Sequence, residues 1–354
     1  MTLMSLGIDA VERGLVPDAL TRAAIRRLCG QRLRNFNHGS DHADGDSRES
    51  LAFVESMRAG PIALVPDKAN EQHYELPPEF FAAVLGPRRK YSCCFWPTAT
   101  TKLAEAEAES LRITCDRADV ADGQQILELG CGWGSLSLWM AERFRSGHIT
   151  AVSNSAPQRH FIESEAASRG LANLSVITAD MNEFTTEPHR FDRVVSVEMF
   201  EHMRNYERLL ERIASWLRSD GKLFVHHFCH RILAYPYETD GDANWMGRYF
   251  FTGGLMPSEN MLRQFDRHMS VVEQWRWDGT HYQRTSEAWL ANLDARRREV
   301  LPVLAATYGS DEARRWFHRW RLFFLAVAEL FGNANGTEWF VSHSLLQPIG
   351  KSLQ

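Results

Sequence analysis

The sequence predicts an α/β fold built on a parallel sheet, and three observations carry that expectation. From residue 119 onward, short strand-like runs recur about 20–30 residues apart. Helical patterns fall between several of them, and a glycine-rich turn joins the first run directly to a helix. Alternating strands and helices imply right-handed βαβ units, with the sheet covered on both faces and ligands beyond the carboxyl ends of its strands.

The elements follow in order. Residues 8–36 read as helical, with Ile8, Val11, Leu15, Leu20, Ala24, Ile25, Leu28 and Leu33 near helical spacing around Pro17. The stretch HGSDHADGDSRES (38–50) breaks that pattern with small and acidic residues and reads as a loop. Five strands are then expected in QILELG (125–130), HITAVSNS (148–155), LSVITAD (174–180), FDRVVSVEM (191–199) and KLFVHHF (222–228). In NYERLLERIASWL, residues Leu209, Leu210, Ile213, Trp216 and Leu217 share one helical face. VVEQWRW (271–277) and WFVSHSLL (339–346) read as added edge strands, and 234–270 and 281–336 as largely helical and aromatic.

Composition narrows the function. The chain has 354 residues, 44% hydrophobic and 24% charged, enough to bury a large core. A net charge of −5 gives no basic field for wrapping nucleic acid, so a nucleic-acid partner is not expected. No apolar run approaches bilayer-spanning length and the N-terminal stretch lacks a secretory pattern, which reads as a cytoplasmic chain without stable membrane insertion. Cys29, Cys93, Cys94, Cys115, Cys131 and Cys229 form no CxxC pair and suit buried, reduced thiols.

Gly130, Gly132 and Gly134 stand between a strand and a helix, where a missing Cβ lets backbone amides approach a ligand. A dinucleotide site would show GxGxxG and a carboxylate ending the second strand. Here the third glycine comes one place early and the second strand runs into AVSNSAPQ, so the pattern argues against NAD. A cofactor without pyrophosphate, met by Ser153, Asn154, Gln158 and Asp180, fits better.

Five motifs in this order, KYSCCFW, ILELGCGWGSLSLWMAERF, AVSNSAPQ, VEMFEHM and HYQRTSEAW, carry a resemblance. The chain resembles the S-adenosylmethionine-dependent family of cyclopropane fatty acid synthases and mycolic acid methyltransferases over roughly residues 66–346. VEMFEHM with its two carboxylates, NEQHYELPPEFF and AELFGNANGTEW bring it nearer the coclaurine-type N-methyltransferases. The resemblance implies a class I methyltransferase Rossmann-like sheet of seven strands, the last antiparallel. It also implies an N-terminal helical segment (1–85), an S-adenosylmethionine-binding core (86–233) and a helical, aromatic substrate cap with the last two strands (234–354). By the same resemblance Tyr91 and Ser92 meet the methionine end of S-adenosyl-L-methionine, and Gly130 and Gly132 its backbone side. Ser153, Asn154 and Gln158 would meet its ribose and adenosine, and Asp180 with Met181 the adenine edge.

Glu198, Glu201 and His202 follow the fourth strand, beside the expected cofactor position. Methyl transfer from a sulfonium needs alignment and desolvation more than activation, but an ammonium acceptor must lose a proton before its lone pair attacks. A carboxylate–histidine cluster can attract the amine and take that proton, so these three residues are the catalytic candidates. Absence of Asp/Asn-Pro-Pro-Tyr/Phe here argues against nucleic-acid amino-methylation.

In VHHFCHR, strand alternation sends His226, Phe228 and His230 one way and His227 and Cys229 the other, so no metal site is expected. The resemblance gives Cys93 (through its backbone), Glu201, His226 and Phe228 a bicarbonate-holding role in the cyclopropane synthases. Their C-terminal Tyr is replaced here, in RLFFLAVAELF, by Phe323 or Phe324. Bicarbonate therefore belongs only to the alternative reading, C-methylation or cyclopropanation of an unsaturated acyl chain. A catalytically silent cofactor-binding protein ranks lower, and a homo-oligomer is compatible with the sequence. Aromatic residues crowd the last third, among them Trp245, Tyr249, Phe250, Phe251, Tyr282, Phe323, Phe324 and Phe331. A minority of them would wall a pocket for a small hydrophobic amine, with Glu329 as a candidate contact to its nitrogen.

Overall fold

A computed structural model describes residues 2–37, 48–65 and 76–350. Its centre is a seven-stranded sheet of β1 (Gln125–Leu129), β2 (His148–Ser153), β3 (Leu174–Thr178), β4 (Phe191–Val197), β5 (Leu217–His230), β6 (Met269–Trp277) and β7 (Trp339–Pro348). The spatial order is β3-β2-β1-β4-β5-β7-β6. The first five strands pair in parallel, whereas β7 runs antiparallel to both β5 and β6. All seven expected strands are present, with one correction. Residues 339–346 are no edge: β7 lies inside the sheet, and its first eight residues are buried.

The connecting helices sit where periodicity places them. Tyr206–Trp216 is capped by the Asn205 side chain, which accepts from Arg208 N, and buries Leu209, Leu210, Ile213 and Trp216. Each such large apolar side chain contributes about 1.5–3 kcal/mol on leaving water. The N-terminal helical reading resolves into Leu3–Glu12 and Asp18–Asn37, parted around Gly14 and Pro17. Of the loop expected at 38–50, residues 38–47 lie outside the described residues, and 48–50 instead open the helix Arg48–Ser56. The first part of NEQHYELPPEFF, to residue 75, is likewise outside them.

A second correction concerns 234–270. Rather than helical, this stretch holds a two-stranded ribbon (Tyr235–Pro236 with Leu255–Met256), one short helix (Trp245–Tyr249) and two 3-10 turns. Its aromatic residues made it resemble an amphipathic helix, but Gly241, Gly247, Gly253, Gly254 and Pro257 interrupt any long one. Residues 281–336 do form helices, Gly279–Ala295, Arg297–Tyr308 and Ala313–Phe331.

The two N-terminal helices pack on Ala313–Phe331. Ion pairs fasten them there. Arg22 reaches Glu329 at 2.8 Å and Glu287 at 2.5 Å, and Arg26 reaches the other Glu329 oxygen at 2.8 Å. Arg315 and Arg319 meet Glu12 at 3.4 and 3.1 Å. All six described cysteines are buried free thiols.

Losing Glu329 strands neither arginine, because Arg26 is exposed and Arg22 keeps Glu287, but it removes the carboxylate that joins both to Ala313–Phe331. Glu329→Ala is expected to lower the melting temperature by several degrees while leaving cofactor affinity within twofold; calorimetry and an equilibrium titration check the two halves.

Candidate functional site

A cavity opens beyond the carboxyl ends of β1 to β4. Gly130 and Gly132 follow β1, Ser153 and Asn154 end β2, Asp180 and Met181 follow β3, and Glu198 follows β4; Tyr91, Ser92, Gln158 and His202 complete the wall. Parallel strands all present their ends to one side, which is why residues from four separate turns meet there.

The turn after β1 divides its glycines by task. All three have positive φ. A Cβ on Gly134 would lie 2.6 Å from Ile162 and one on Gly130 2.7 Å from Met199, so both serve packing. A Cβ on Gly132 would meet no protein atom within 4 Å and would stand in the cavity wall. That position is open to a ligand's close approach.

Ser153 donates to Gln158 Oε1 at 2.7 Å and accepts from the Ser155 amide at 3.0 Å. Gln158 is buried, and its Nε2 has no partner among the described residues; the Ser135 hydroxyl, also in the wall, has none either. Asn182 N donates to Asp180 Oδ1 at 2.9 Å and fixes that carboxylate's direction. Two residues that sequence reasoning missed line the same cavity. Lys90 donates to Ser92 Oγ at 2.5 Å and to the Cys93 carbonyl at 2.7 Å. Glu128 accepts from the Ser137 hydroxyl, and burial pushes its carboxyl up to about 8, so a cationic ligand group would favour its ionised form.

Glu198 stands at the inner end. Its backbone is left-handed (φ 49°), a conformation costly for a residue with a Cβ. Its Oε1 accepts from Cys93 N at 2.9 Å and lies 3.1 Å from His226 Nε2, and its Oε2 accepts from Tyr282 Oη–H at 2.7 Å. Burial raises its pKa, and Lys90 with the donors from Cys93 and Tyr282 only partly offsets that rise. Glu201 is fully buried; Oε1 accepts from Phe228 N at 2.7 Å and Oε2 has no partner among the described residues. Burial first, then the charge of Glu198, pushes its carboxyl well up. Burial holds His202 down at about 4, against a smaller upward pull from Glu198.

A second cavity adjoins this end. Phe228, Phe251, Tyr282, Phe323 and Phe331 wall it, with Ile25, Cys29 and Arg32 from the N-terminal helix and Tyr237 and Glu238 from the ribbon region. The partition between the cavities consists of interacting residues. Tyr282 of the second bonds Glu198 of the first, and Phe251 of the second stacks on His202 of the first with centroids 5.8 Å apart and planes at 12°.

A family model described as mycolic acid cyclopropane synthetase matches residues 65–336. The chain belongs to this family. The (S)-coclaurine N-methyltransferase of Thalictrum flavum subsp. glaucum is 38% identical over 344 residues, covering 96% of this chain and 94% of that one. A solved coclaurine N-methyltransferase bound to N-methylheliamine and SAH matches with a TM-score of 0.93 at 36% identity, over 98% of this chain and 100% of that one. The cyclopropane-fatty-acyl-phospholipid synthase of Escherichia coli (strain K12) is 28% identical, over 70% of this chain and 60% of its own.

This member of the family is an S-adenosylmethionine-dependent methyltransferase, and the first cavity fits that cofactor. The orphaned Gln158 Nε2 is a donor for an adenosine oxygen or nitrogen, the open face of Gly132 admits close approach, and Glu128 suits a cationic amino group. Of the residues given a bicarbonate role, Phe228 N donates to Glu201 Oε1. Cys93 N and His226 both address Glu198 Oε1, and the phenol at the cluster comes from Tyr282 rather than from the segment holding Phe323 and Phe324. Phe324 packs against Trp289 and Trp320 and lines neither cavity. Glu329 is corrected as an amine contact: it lines neither cavity, and both its oxygens are held by arginines.

Gly132→Val is expected to weaken S-adenosylmethionine binding at least tenfold, because a branched side chain would fill the cofactor's place and strain a left-handed backbone. Equilibrium titration with EDTA present measures this, and wild-type affinity would reduce the turn to a packing feature.

Proposed function

We propose that the chain transfers a methyl group to the nitrogen of a small aromatic or hydrophobic amine. The observation that carries this reading is the shared wall of the two cavities, where the Glu198–Tyr282 and His202–Phe251 contacts stand between a cofactor-shaped space and an aromatic one. The names of the relatives, N-methyltransferases over nearly the whole chain, point the same way. Residues 1–85 and 234–354 would together cap the core 86–233, since the acceptor cavity draws its wall from both.

When bound, S-adenosylmethionine supplies an electrophilic sulfonium methyl. The chain's residues orient the acceptor, exclude water and receive a proton. Phe228, Phe251 and Phe331 desolvate the acceptor and stack on its ring. Glu198, whose donors partly offset the upward push of burial, attracts the ammonium form when ionised and holds the nitrogen near the methyl group. His202 is neutral at ordinary pH and borders the cavity, and Glu201, pushed up by burial, is the more basic group beside it in sequence. His202 takes the proton that frees the lone pair, and the ionised form of Glu201, which lines neither cavity, is the base behind it. The acyl-lipid alternative is disfavoured because donors it needs for bicarbonate are already bonded to Glu198.

Labelled cofactor offered to cyclic aromatic amines and, separately, to unsaturated phospholipid vesicles should mark only the amines. Label confined to vesicles would overturn the reading. Glu201→Gln and His202→Ala should each lower kcat by roughly 10²–10⁴ with cofactor affinity nearly intact. The defect should shrink as pH rises, because amine deprotonated by solvent bypasses the missing base; a loss independent of pH would mean the pair only orients the acceptor.

A further inference from the structure

A chain of hydrogen bonds leads away from Glu198 through the sheet. His226 Nε2 lies 3.1 Å from Glu198 Oε1, His226 Nδ1 lies 2.9 Å from His343 Nε2, and His343 Nδ1 lies 2.9 Å from Arg117 Nη1. Pairing of β5 with β7 sets the two histidines directly opposite one another, and both are fully buried. Arg117 ends the helix Leu103–Arg117 and lies half-buried against the rings of Trp275 and Trp277, 5.2 and 5.8 Å from their centroids. Trp277 in turn packs on both imidazoles.

The direction of every bond follows from the arginine. A guanidinium donates and never accepts, so His343 Nδ1 is an acceptor. A neutral imidazole bonded in that way carries its hydrogen on Nε2 and donates to His226 Nδ1. His226 then carries its own hydrogen on Nε2 and donates to Glu198. A second proton on either ring would set one N–H against another. Burial and the positive charges of Lys90 and Arg117, with His227 nearby, keep both rings neutral.

We propose that Arg117 is a positioning residue for methyl transfer: from outside both cavities it fixes the tautomers of His343 and His226, so that His226 always donates to Glu198. All donors point toward the carboxylate, so a proton arriving there cannot leave along the chain. The chain holds Glu198 ionised rather than draining it. Glu198 also faces Lys90, Tyr282, His202, His227, Glu201 and Cys93 through its amide and thiol, whereas the Arg117 side chain bonds His343.

The kinetic consequence rests on the use of Glu198 proposed above, whereas the tautomers do not, so the test has two arms. Long-range proton–nitrogen correlation spectra of the full chain carrying 15N-histidine should show His226 and His343 as Nε2–H tautomers in the wild type. In Arg117→Met, His343 should lose that single form, and the acid limb of kcat/KM should move up by about half to one pH unit, because a carboxylate with a weakened donor protonates more easily. Cofactor affinity should stay within twofold, and Arg117→Lys, which keeps a donor, should restore both readouts toward wild type. An Nδ1–H tautomer at either histidine in the wild type overturns the proposal, and that measurement needs no variant to fold. Wild-type tautomers and pH profile in Arg117→Met overturn it as well. Altered tautomers with an unmoved pH profile would overturn instead the requirement for an ionised Glu198.

Discussion

The site is organised by the need to keep one buried carboxylate supplied with donors. Taking Glu198 out of water costs several kcal/mol unless hydrogen bonds replace those it loses. The replacements come from three places far apart in the chain: the Cys93 amide, His226 on β5 and the Tyr282 hydroxyl on Gly279–Ala295. Each element must therefore dock in one register. The left-handed backbone at Glu198 persists because that same set of bonds over-determines it.

Around this point the molecule divides its labour. The parallel half of the sheet presents strand ends, and those ends hold polar side chains and exposed backbone for a polar cofactor. Phe228 at the end of β5, with Phe251, Tyr282, Phe323 and Phe331 from later segments, supplies the aromatic surface of the second cavity, and apolar walls of this kind lower the local dielectric. Arginine–carboxylate pairs at Glu12 and Glu329 hold the N-terminal helices against Ala313–Phe331, and the second of them, Asp18–Asn37, closes one wall of the aromatic cavity. Packing at Glu329 thus helps set the shape of the aromatic cavity.

Buried polar groups that look redundant acquire a purpose in this arrangement. His343 and Arg117 touch neither cavity, yet they continue the hydrogen bonding of His226 outward, so no imidazole nitrogen along that line is orphaned. On the same strand the buried His227 has no partner for either nitrogen among the described residues, whereas the β5–β7 register satisfies both nitrogens of His226.

Much of the cofactor cavity was readable from the chain because it is local. A strand, a tight turn and a helix lie within some twenty residues, and periodicity with glycine placement signals each one. That reasoning located Gly132, Ser153, Gln158, Asp180 and Glu198, all of which border one cavity. Lys90 and Glu128 went unnoticed because a lysine beside a tyrosine and a glutamate within an apolar strand carry no spacing signal. What only the tertiary structure decided depends on pairs distant in sequence: Tyr282 with Glu198, 84 residues apart, Glu329 with Arg22 rather than with an amine, and β7 between β5 and β6 instead of at an edge. Local pattern fixes which side chains a strand or helix turns inward, but the partner that meets them depends on how whole elements pack, and no short stretch of sequence encodes that.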